Sequence, residues 1–569
     1  MIKHLRFAFL FCLLYWQLPA QQIFNTPPAT SVRTMAEWEE LQALIVTWRS
    51  QPAILTEIVR AAREECEVII CCDGQATVSQ AQSTLVAAGV NISSNVTFLN
   101  VPSNSIWVRD YGPNCVYANT VDSLYFVDWK YNRITRPKDD TLPYGIAEHL
   151  NIPLYTTTFA PADLVNTGGN FMSDGMGTAF ASKLILSENE AGNQYGVSTK
   201  SEQQIDQIFN DYMGIDRYIK MEKLPYDEIH HIDMHMKLLD EQTLLVGEYP
   251  PGVADGPQIE ANLQYVVNNF MSSFGTPYHV IRIPMPSDDG FYPNNGGDYR
   301  TYANAVFVNK TVLVPFYEEQ YDTTAQRIWE EALPGYRIVG IDCNSIIPSL
   351  GAIHCITKEV GVNDPLRIVH KPVEYVFVGP TSPWKCPILA DVQHRTGVAS
   401  ATVNYRRKGE PTWFSESMTQ LTNPDSTQFW TVDIPNQPGY VGKMEYYIDA
   451  TSNSGKSISR PLPGPEGPWE FPVIPDISNT QEAPKASLLD IFPNPAHAIT
   501  VIPVNTTTGM KGTIRVFNAL GQELSTIFNG TFPAGNSNYF LDAGHYASGT
   551  YFVQLQTPSG SVLKKLMVR

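Results

Sequence analysis

Residues 53–110 read AILTEIVRAAREECEVIICCDGQATVSQAQSTLVAAGVNISSNVTFLNVPSNSIWVRD, and the order of patterns in this stretch decides the fold. Ala53 to Glu65 carries apolar residues at helical spacing. Cys66–Cys72 is a short apolar run of strand length. Gln75 to Ala88 returns to the helical pattern, and Asn95–Val101 reads as a strand running into Ile106-Trp107-Val108-Arg109-Asp110. Helices and strands in alternation predict an α/β layer. The same alternation recurs near 201–222, 241–248, 258–284 and 305–316, so residues 21–380 are expected to form one α/β domain. Its length exceeds that of an ordinary domain. An internally repeated or closed architecture is therefore expected, although no repeat is visible in the sequence.

Beyond about Ser382 the helical period disappears. Ala401–Tyr405, Phe429–Ile434 and Lys443–Asp449 are short alternating strands between Asn, Pro and Gly turns, which predicts a β-sandwich over 381–475. Arg460–Pro475 holds six prolines and reads as its last strand plus a stiff linker. Residues 476–569 form a linker and a further β-rich unit. At the other end, Lys3, His4 and Arg6 precede an apolar run, Phe7 to Tyr15, and a Pro19-Ala20 exit, so residues 1–20 read as a secretory signal peptide. That run is too short to span a bilayer, and no later segment is long and apolar enough.

The 569 residues are 43% hydrophobic and 17% charged, which excludes global disorder. Lys plus Arg is 39 and Asp plus Glu is 57, a formal charge of −18, which argues against nucleic acid as a default partner. Of eight cysteines, Cys12 lies in the leader, leaving seven; an odd number leaves at least one thiol unpaired within the chain. Cys66, Cys71 and Cys72 sit in apolar sequence and are expected to be buried in a strand.

Four side chains stand in unusual settings. Cys355, in Leu350-Gly351-Ala352-Ile353-His354-Cys355-Ile356-Thr357, follows small residues that let a ligand approach backbone; it is either a nucleophile or a buried inert thiol. Asp110, before Tyr111-Gly112-Pro113, ends a strand in a loop, where it either pairs with Arg109 to order the turn or faces a ligand. His231, Asp233 and His235 share one face if the segment is a strand, which permits a His–carboxylate pair or a metal site. The HExxH pattern is absent and no further ligand group is evident, so no metal is assigned. Together, two carboxylates match the donor edges of a guanidinium, a thiolate can attack its carbon, and a histidine can protonate departing ammonia and then activate water.

These segments resemble, in order, the guanidine-modifying superfamily, in the branch joining agmatine deiminases to Porphyromonas-type peptidylarginine deiminases. The matching pieces are Ala36-Glu37-Trp38-Glu39, Trp107-Val108-Arg109-Asp110, Gly168-Gly169-Asn170, His231-Ile232-Asp233, Tyr302-Ala303-Asn304 and Ile353-His354-Cys355. The resemblance implies a five-bladed pseudo-symmetric α/β propeller with a central site. It implies Cys355 as nucleophile, His231 as general acid and base, and Asp110 and Asp233 as guanidinium carboxylates. Asn304 would line the site and Trp107 would flank the substrate stem. No cofactor is implied. His354, if on a strand, would point away from the site and be structural.

Arg133 and Arg136, in Lys130-Tyr131-Asn132-Arg133-Ile134-Thr135-Arg136-Pro137, resemble the family's carboxylate-binding stretch, with Arg136 aligned through a one-residue insertion; without that role they form an exposed basic turn. Glu228 stands where the family has an aromatic contact, with Tyr226 nearby as a substitute; a negative Glu228 would favour an amine-ended substrate. The sandwich resembles an immunoglobulin-like domain. Pro493-Asn494-Pro495, Asn518-Ala519-Leu520-Gly521-Gln522-Glu523, Gly549-Thr550-Tyr551 and Lys564-Lys565 resemble the C-terminal sorting domain of type IX secretion, here a β-sandwich partnered by the secretion machinery. This architecture implies a secreted or surface-attached protein-arginine deiminase acting on arginine-containing peptides, with agmatine deiminase and a non-catalytic adhesin as alternatives. A cysteine peptidase would leave the paired carboxylates unexplained.

Overall fold

The computed structural model describes residues 22–378, 386–421, 428–435, 440–475, 486–491, 494–496, 499–519, 521–558 and 560–568. The leader at 1–20, the linker at 476–485, and Pro493 and Leu520 of the terminal motifs lie outside the described residues. The chain divides into two compact units, one reaching Ile474 and the other starting at Pro475.

The first unit opens with the pattern that the sequence predicts. Leu41–Thr47, helix Pro52–Ala62, strand Glu67–Cys72, helix Gln75–Ala87 and strand Val96–Asn100 follow one another, with the three strands parallel. Cys71 and Cys72 are fully buried in the middle strand, which is covered on both faces. Burial pushes the Cys66 thiol up to about 12 and that of Cys72 up to about 11. All seven cysteines from Cys66 onward are buried and unbridged.

Five sheets up to residue 361 share one plan that no sequence repeat announces. A short strand pairs antiparallel with a second strand; a helix then carries the chain to a third strand, parallel to the second. The plan appears as Asn114–Ala118, Leu124–Tyr131 and Leu154–Thr157, then as Met172–Ser173, Thr178–Ser182 and Arg217–Met221. It returns as Met236–Leu238, Thr243–Glu248 and His279–Pro284, and as Val306–Val308, Thr311–Phe316 and Arg337–Asp342. In the fifth sheet the short strand Lys358–Gly361 pairs antiparallel with Leu41–Thr47, so the end of this region closes on its beginning. Closure removes the exposed edge that Leu41–Thr47 would otherwise present.

Two further sheets form a β-sandwich in the same unit. One runs Arg367–His370, Cys386–Gln393, Phe429–Ile434, Thr419–Gln420. The other is built around Val398–Arg407 and Gly442–Ser452, with Val376–Val378 at its edge beside Trp469–Pro475. Sandwich pairing therefore begins at Arg367, ahead of the composition change near Ser382. Ile388, Val403, Tyr446, Ile448 and Phe471 fill the core between the sheets.

In the second unit, Ala486–Leu488, Ile499–Thr506 and Gly535–Asp542 form one sheet; Met510–Asn518, Glu523–Phe532, Gly549–Thr557 and Gly560–Val568 form another. The terminal motifs are tied together: the Asn494 amide donates to the Lys565 carbonyl at 3.0 Å, and the Met567 N–H donates to the Asn494 side chain at 2.8 Å.

The sandwich meets the α/β region through a pair of glycines. A Cβ on Gly467 would lie 1.9 Å from the Pro334 carbonyl oxygen, and one on Gly335, which takes φ +78°, would lie 2.5 Å from the Glu466 carbonyl carbon. Gly467→Ala is expected to force these segments apart and to cost about 1–3 kcal/mol, the usual range for overpacking. Thermal unfolding of the full chain measures this; an unchanged transition would show that the contact bears no load.

Candidate active site

The motif segments share one place in the plan: each directly precedes the short first strand of a sheet. Helix Val108–Tyr111 leads to Asn114–Ala118, and the 3-10 turn Gly168–Asn170 leads to Met172–Ser173. Turn Ile232–Met234 leads to Met236–Leu238, Tyr302-Ala303-Asn304 leads to Val306–Val308, and turn His354–Ile356 leads to Lys358–Gly361. Helix 108–111 touches the turns at 168–170 and 354–356, and the turn at 168–170 touches that at 232–234. Side chains far apart in sequence thus meet in one place.

The Gly168-Gly169 pair is required by how closely these turns approach. A Cβ on Gly168 would lie 1.9 Å from the Arg109 carbonyl oxygen, and one on Gly169 would lie 2.5 Å from His231 Nδ1. Asn170 then clamps the turn, accepting from the Ser182 N–H at 2.7 Å and donating to its carbonyl at 3.3 Å. With the turn fixed, the Gly169 N–H donates to Asp110 Oδ1 at 3.3 Å. His231 Nδ1 stands 3.7 Å from the same oxygen, and neither ring nitrogen has a hydrogen-bond partner. Just before it, His230 takes φ +56°, a conformation rarely adopted by non-glycine residues, and its carbonyl accepts from Ser182 Oγ at 2.6 Å.

The strand geometry expected for 231–235 and for 353–355 is replaced by 3-10 turns. A turn does not alternate faces, and the two side-chain expectations change with it. His235 does not join His231 and Asp233; both its ring nitrogens are buried without partners, and burial pulls its pKa down to about 4. His354 does not point away. Its Nδ1 lies 2.7 Å from Asp233 Oδ2 and its Nε2 lies 3.1 and 3.2 Å from the two oxygens of Glu37.

Asn304 does more than line the site. Its Oδ1 accepts from the N–H groups of Ala352, His354 and Cys355 at 3.2, 3.1 and 3.4 Å, and its Nδ2 donates to Cys355 Sγ at 3.3 Å. One buried amide thus shapes the turn and aims the thiol. Cys355 is buried, 2% exposed, rather than exposed. Its Sγ lies 3.7 Å from Asp233 Oδ2. Gly351 leaves room for both the Trp107 ring and Cys355: a Cβ there would sit 2.5 Å from the ring and 3.1 Å from Sγ.

Burial, then the charges of Asp233 and Asp110, hold the Cys355 thiol well above its ordinary range; the Ala352 N–H and Asn304 oppose them. Burial also acts to raise Asp233, but the His354 hydrogen bond and charge, with help from His231 and Arg109, hold it below the usual carboxylate range. Asp233 Oδ1 remains buried with no partner among the described residues. Beneath it lie residues the motif reading left without roles: Arg109 pairs with Glu359 at 2.7 Å, and Lys237 pairs with Glu37. Glu37, His354 and Glu359 bring possible ligand atoms within 4.8 Å of one another, but Arg109 and Lys237 already balance the two carboxylates.

Arg133 and Arg136 lie half-buried just past strand Leu124–Tyr131. Arg133 donates to the Asn132 carbonyl and Arg136 to the Tyr131 hydroxyl, and neither has an acidic partner among the described residues. Tyr131 links them to the site: burial and the charge of Asp110 raise its phenol, while Arg136 and Arg133 oppose this. Tyr226 and Glu228 are exposed.

Glu188, which no motif flagged, lies among the same groups. Its Oε1 accepts from Asn132 Nδ2 at 2.8 Å and Tyr195 Oη at 3.2 Å, while Oε2 is buried without a partner. Burial pushes its carboxyl up to about 7, against Asn132, Tyr195 and Arg133 and with Asp110.

The fold and these side chains define a guanidine-modifying deiminase. A family model described as Porphyromonas-type peptidyl-arginine deiminase matches residues 33–360, and a secretion system C-terminal sorting domain matches residues 490–569. The chain belongs to the Porphyromonas-type peptidyl-arginine deiminase family. It ends in a type IX sorting domain, which indicates secretion or surface attachment; among the described residues, no helix is long and apolar enough to cross a membrane. A Yersinia pseudotuberculosis protein named "Putative agmatine deiminase" is 23% identical, the alignment covering 60% of this chain and 99% of that protein. In fold the chain is similar to the agmatine deiminase of Enterococcus faecalis, with TM-score 0.52, 20% identity and coverage of 60% and 99%. It is likewise similar to a Porphyromonas gingivalis structure named "Putative Arginine Deiminase", with TM-score 0.51, 21% identity and coverage of 58% and 99%.

Because the folded state raises the Glu188 carboxyl from 4.5 to about 7, it favours the protonated form. The resulting stability is fully present below 4.5 and is lost as pH rises through 7, by up to roughly 3 kcal/mol at 1.36 kcal/mol per unit. Urea midpoints at pH 5 and pH 8 should therefore differ less in Glu188→Gln than in the wild type. Equal pH dependence would remove Glu188 as the cause.

Proposed function

We propose that this protein is a secreted protein-arginine deiminase that converts peptidyl arginine, at the C-terminus of a peptide, to citrulline and ammonia. The five sheets with one plan, closed end to start, support reading the α/β region as a five-bladed propeller, with an immunoglobulin-like sandwich behind it. Asp110 and Asp233 hold the guanidinium nitrogens, Oδ1 of Asp233 being the free acceptor. Burial, with their charges, favours the protonated thiol of Cys355, and a bound cation cancels those charges. The thiol gives its proton to His231, and the thiolate then attacks the guanidinium carbon. The C–S bond forms, the C–N bond breaks, and His231 delivers a proton to the departing ammonia. His231 next takes a proton from water, whose oxygen attacks the thiouronium carbon; the C–S bond breaks, releasing the ureido product and the thiolate. Asn304 holds the turn that aims Cys355, and Trp107 flanks the substrate stem.

The observation that carries the peptidyl reading is the pair Arg133 and Arg136, half-buried cations without acidic partners whose charge reaches Tyr131 beside Asp110. A terminal carboxylate supplies the missing anion. The second reading, an agmatine deiminase, rests on Glu188, whose unpartnered Oε2 suits an amine-ended substrate. A panel of peptides ending in arginine, peptides with internal arginine, and agmatine, scored for ureido product, separates the two. Arg133→Ala and Arg136→Ala should each raise KM for C-terminal arginine at least tenfold and leave agmatine turnover, if any, unchanged. Turnover of agmatine alone would overturn the peptidyl reading. Cys355→Ala should abolish turnover with the unfolding transition unchanged; retained activity would remove Cys355 from the chemistry.

A further inference from the structure

The second buried histidine of the site, His354, faces only acceptors. Its Nδ1 lies 2.7 Å from Asp233 Oδ2, and its Nε2 lies 3.1 and 3.2 Å from the oxygens of Glu37. The ring is fully buried, so no water competes for either nitrogen. A neutral imidazole has one N–H and one lone pair, and an ionised carboxylate can only accept. Both carboxylates have reason to stay ionised. Glu37 is paired with Lys237, and Asp233 must present charge to a guanidinium. One-proton histidine would set a lone pair against a carboxylate at hydrogen-bond distance on one side, in a buried place where such repulsion is costly.

We infer that His354 carries both ring protons in the resting protein, and that this buried imidazolium, held by Glu37, is a positioning residue that keeps Asp233 ionised with Oδ1 turned to the substrate. The inference rests on the deiminase reading of the site, which supplies both the role of Asp233 and its reason to stay ionised. The geometry of Asp233 supports it. One oxygen is spent on His354 and the other is buried with no partner, so the ring fixes which oxygen is free.

The charges around the ring are consistent with this state. Asp233, Glu37 and Glu359 supply three negative charges, and Arg109, Lys237 and the imidazolium supply three positive ones. Asp233 and Glu37 both lie below the usual carboxylate range; in each, burial acts upward and is outweighed by the neighbouring cations, His354 among them. Lys358 stands behind Arg109, His231 and Cys355 face Asp233 from the other side, and Asp110 closes the site. Without the ring charge, Asp110, Asp233, Glu37 and Glu359 would face Arg109, Lys237 and Lys358, one cation fewer than the carboxylates.

Two substitutions and one spectrum test this. In the full chain labelled with 15N-histidine, a long-range 1H–15N spectrum at pH 8 should show a ring with two protonated nitrogens, and Glu37→Gln should weaken or remove that signal. At this pH exposed histidines are neutral, so absence of any such ring overturns the inference. His354→Asn keeps a donor toward Asp233 and drops the charge. With a guanidine substrate it should raise KM at least tenfold and move the acidic limb of kcat/KM to higher pH by about one unit, since an Asp233 easier to protonate is lost earlier as pH falls. A variant that is merely less stable, with an unmoved limb, would reduce His354 to packing. If His354→Asn does not fold, Glu37→Gln carries the same kinetic expectation. The spectrum needs no substrate, so failure of the deiminase reading, seen as no turnover on any guanidine, is distinct from failure of this inference.

Discussion

The site depends on one constraint: several carboxylates must stay charged inside a protein core. Asp110, Asp233 and Glu359 lie buried in or next to the place where the turns meet, where water screens them little, and half-buried Glu37 lies beside them. An isolated buried carboxylate neutralises itself by taking up a proton. Glu188, with no cation in hydrogen-bond contact, is driven that way: burial pushes its carboxyl up to about 7. Glu359, Glu37 and Asp233 escape it because Arg109, Lys237 and His354 each sit at hydrogen-bond distance. The buried ion pairs are better understood as a device for keeping anionic groups in place than as a source of stability, since desolvation consumes much of what pairing returns.

That constraint explains the closed arrangement. A buried charge needs partners from several directions, and no single strand or helix can supply them. Five turns, each at the entrance to a sheet, bring side chains from positions 37 to 359 together. The approach is tight enough that Gly168, Gly169 and Gly351 cannot be replaced without a Cβ striking a carbonyl oxygen, a ring nitrogen or an aromatic ring. The pairing of Lys358–Gly361 with Leu41–Thr47 joins the strand that follows Cys355 to a strand near the start of the region. The position of Cys355 is thereby referred to both ends of the region at once.

Much of this was legible in the sequence. Helical and strand periods over 53–101 were plain because those elements are amphipathic or fully buried, and the motif residues were recognisable as a set. The repeat was not legible. It is a repeat of topology, carried by strands as short as Met172–Ser173 whose side chains share no common pattern. The placements of His235 and His354 were misjudged for one reason: a short segment before a strand gives no period, so strand alternation was assumed where 3-10 turns stand. Glu188 and Lys237 were invisible because their neighbours lie 56 and 200 residues away in sequence.

The chain meets an extracellular destination without a disulfide among its described residues. Its thiols avoid oxidation by another route. Cys66, Cys71, Cys72, Cys115, Cys343 and Cys386 are buried, and burial raises each above the ordinary thiol range, which suppresses the thiolate that would react. Cys355 shares this protection: burial first, then the charges of Asp233 and Asp110, hold its thiol well above the ordinary range. Specificity and chemical safety then have one origin. On the proposed deiminase reading, a guanidinium between Asp110 and Asp233 cancels their charges and favours the thiolate, so the nucleophile forms where its substrate already is.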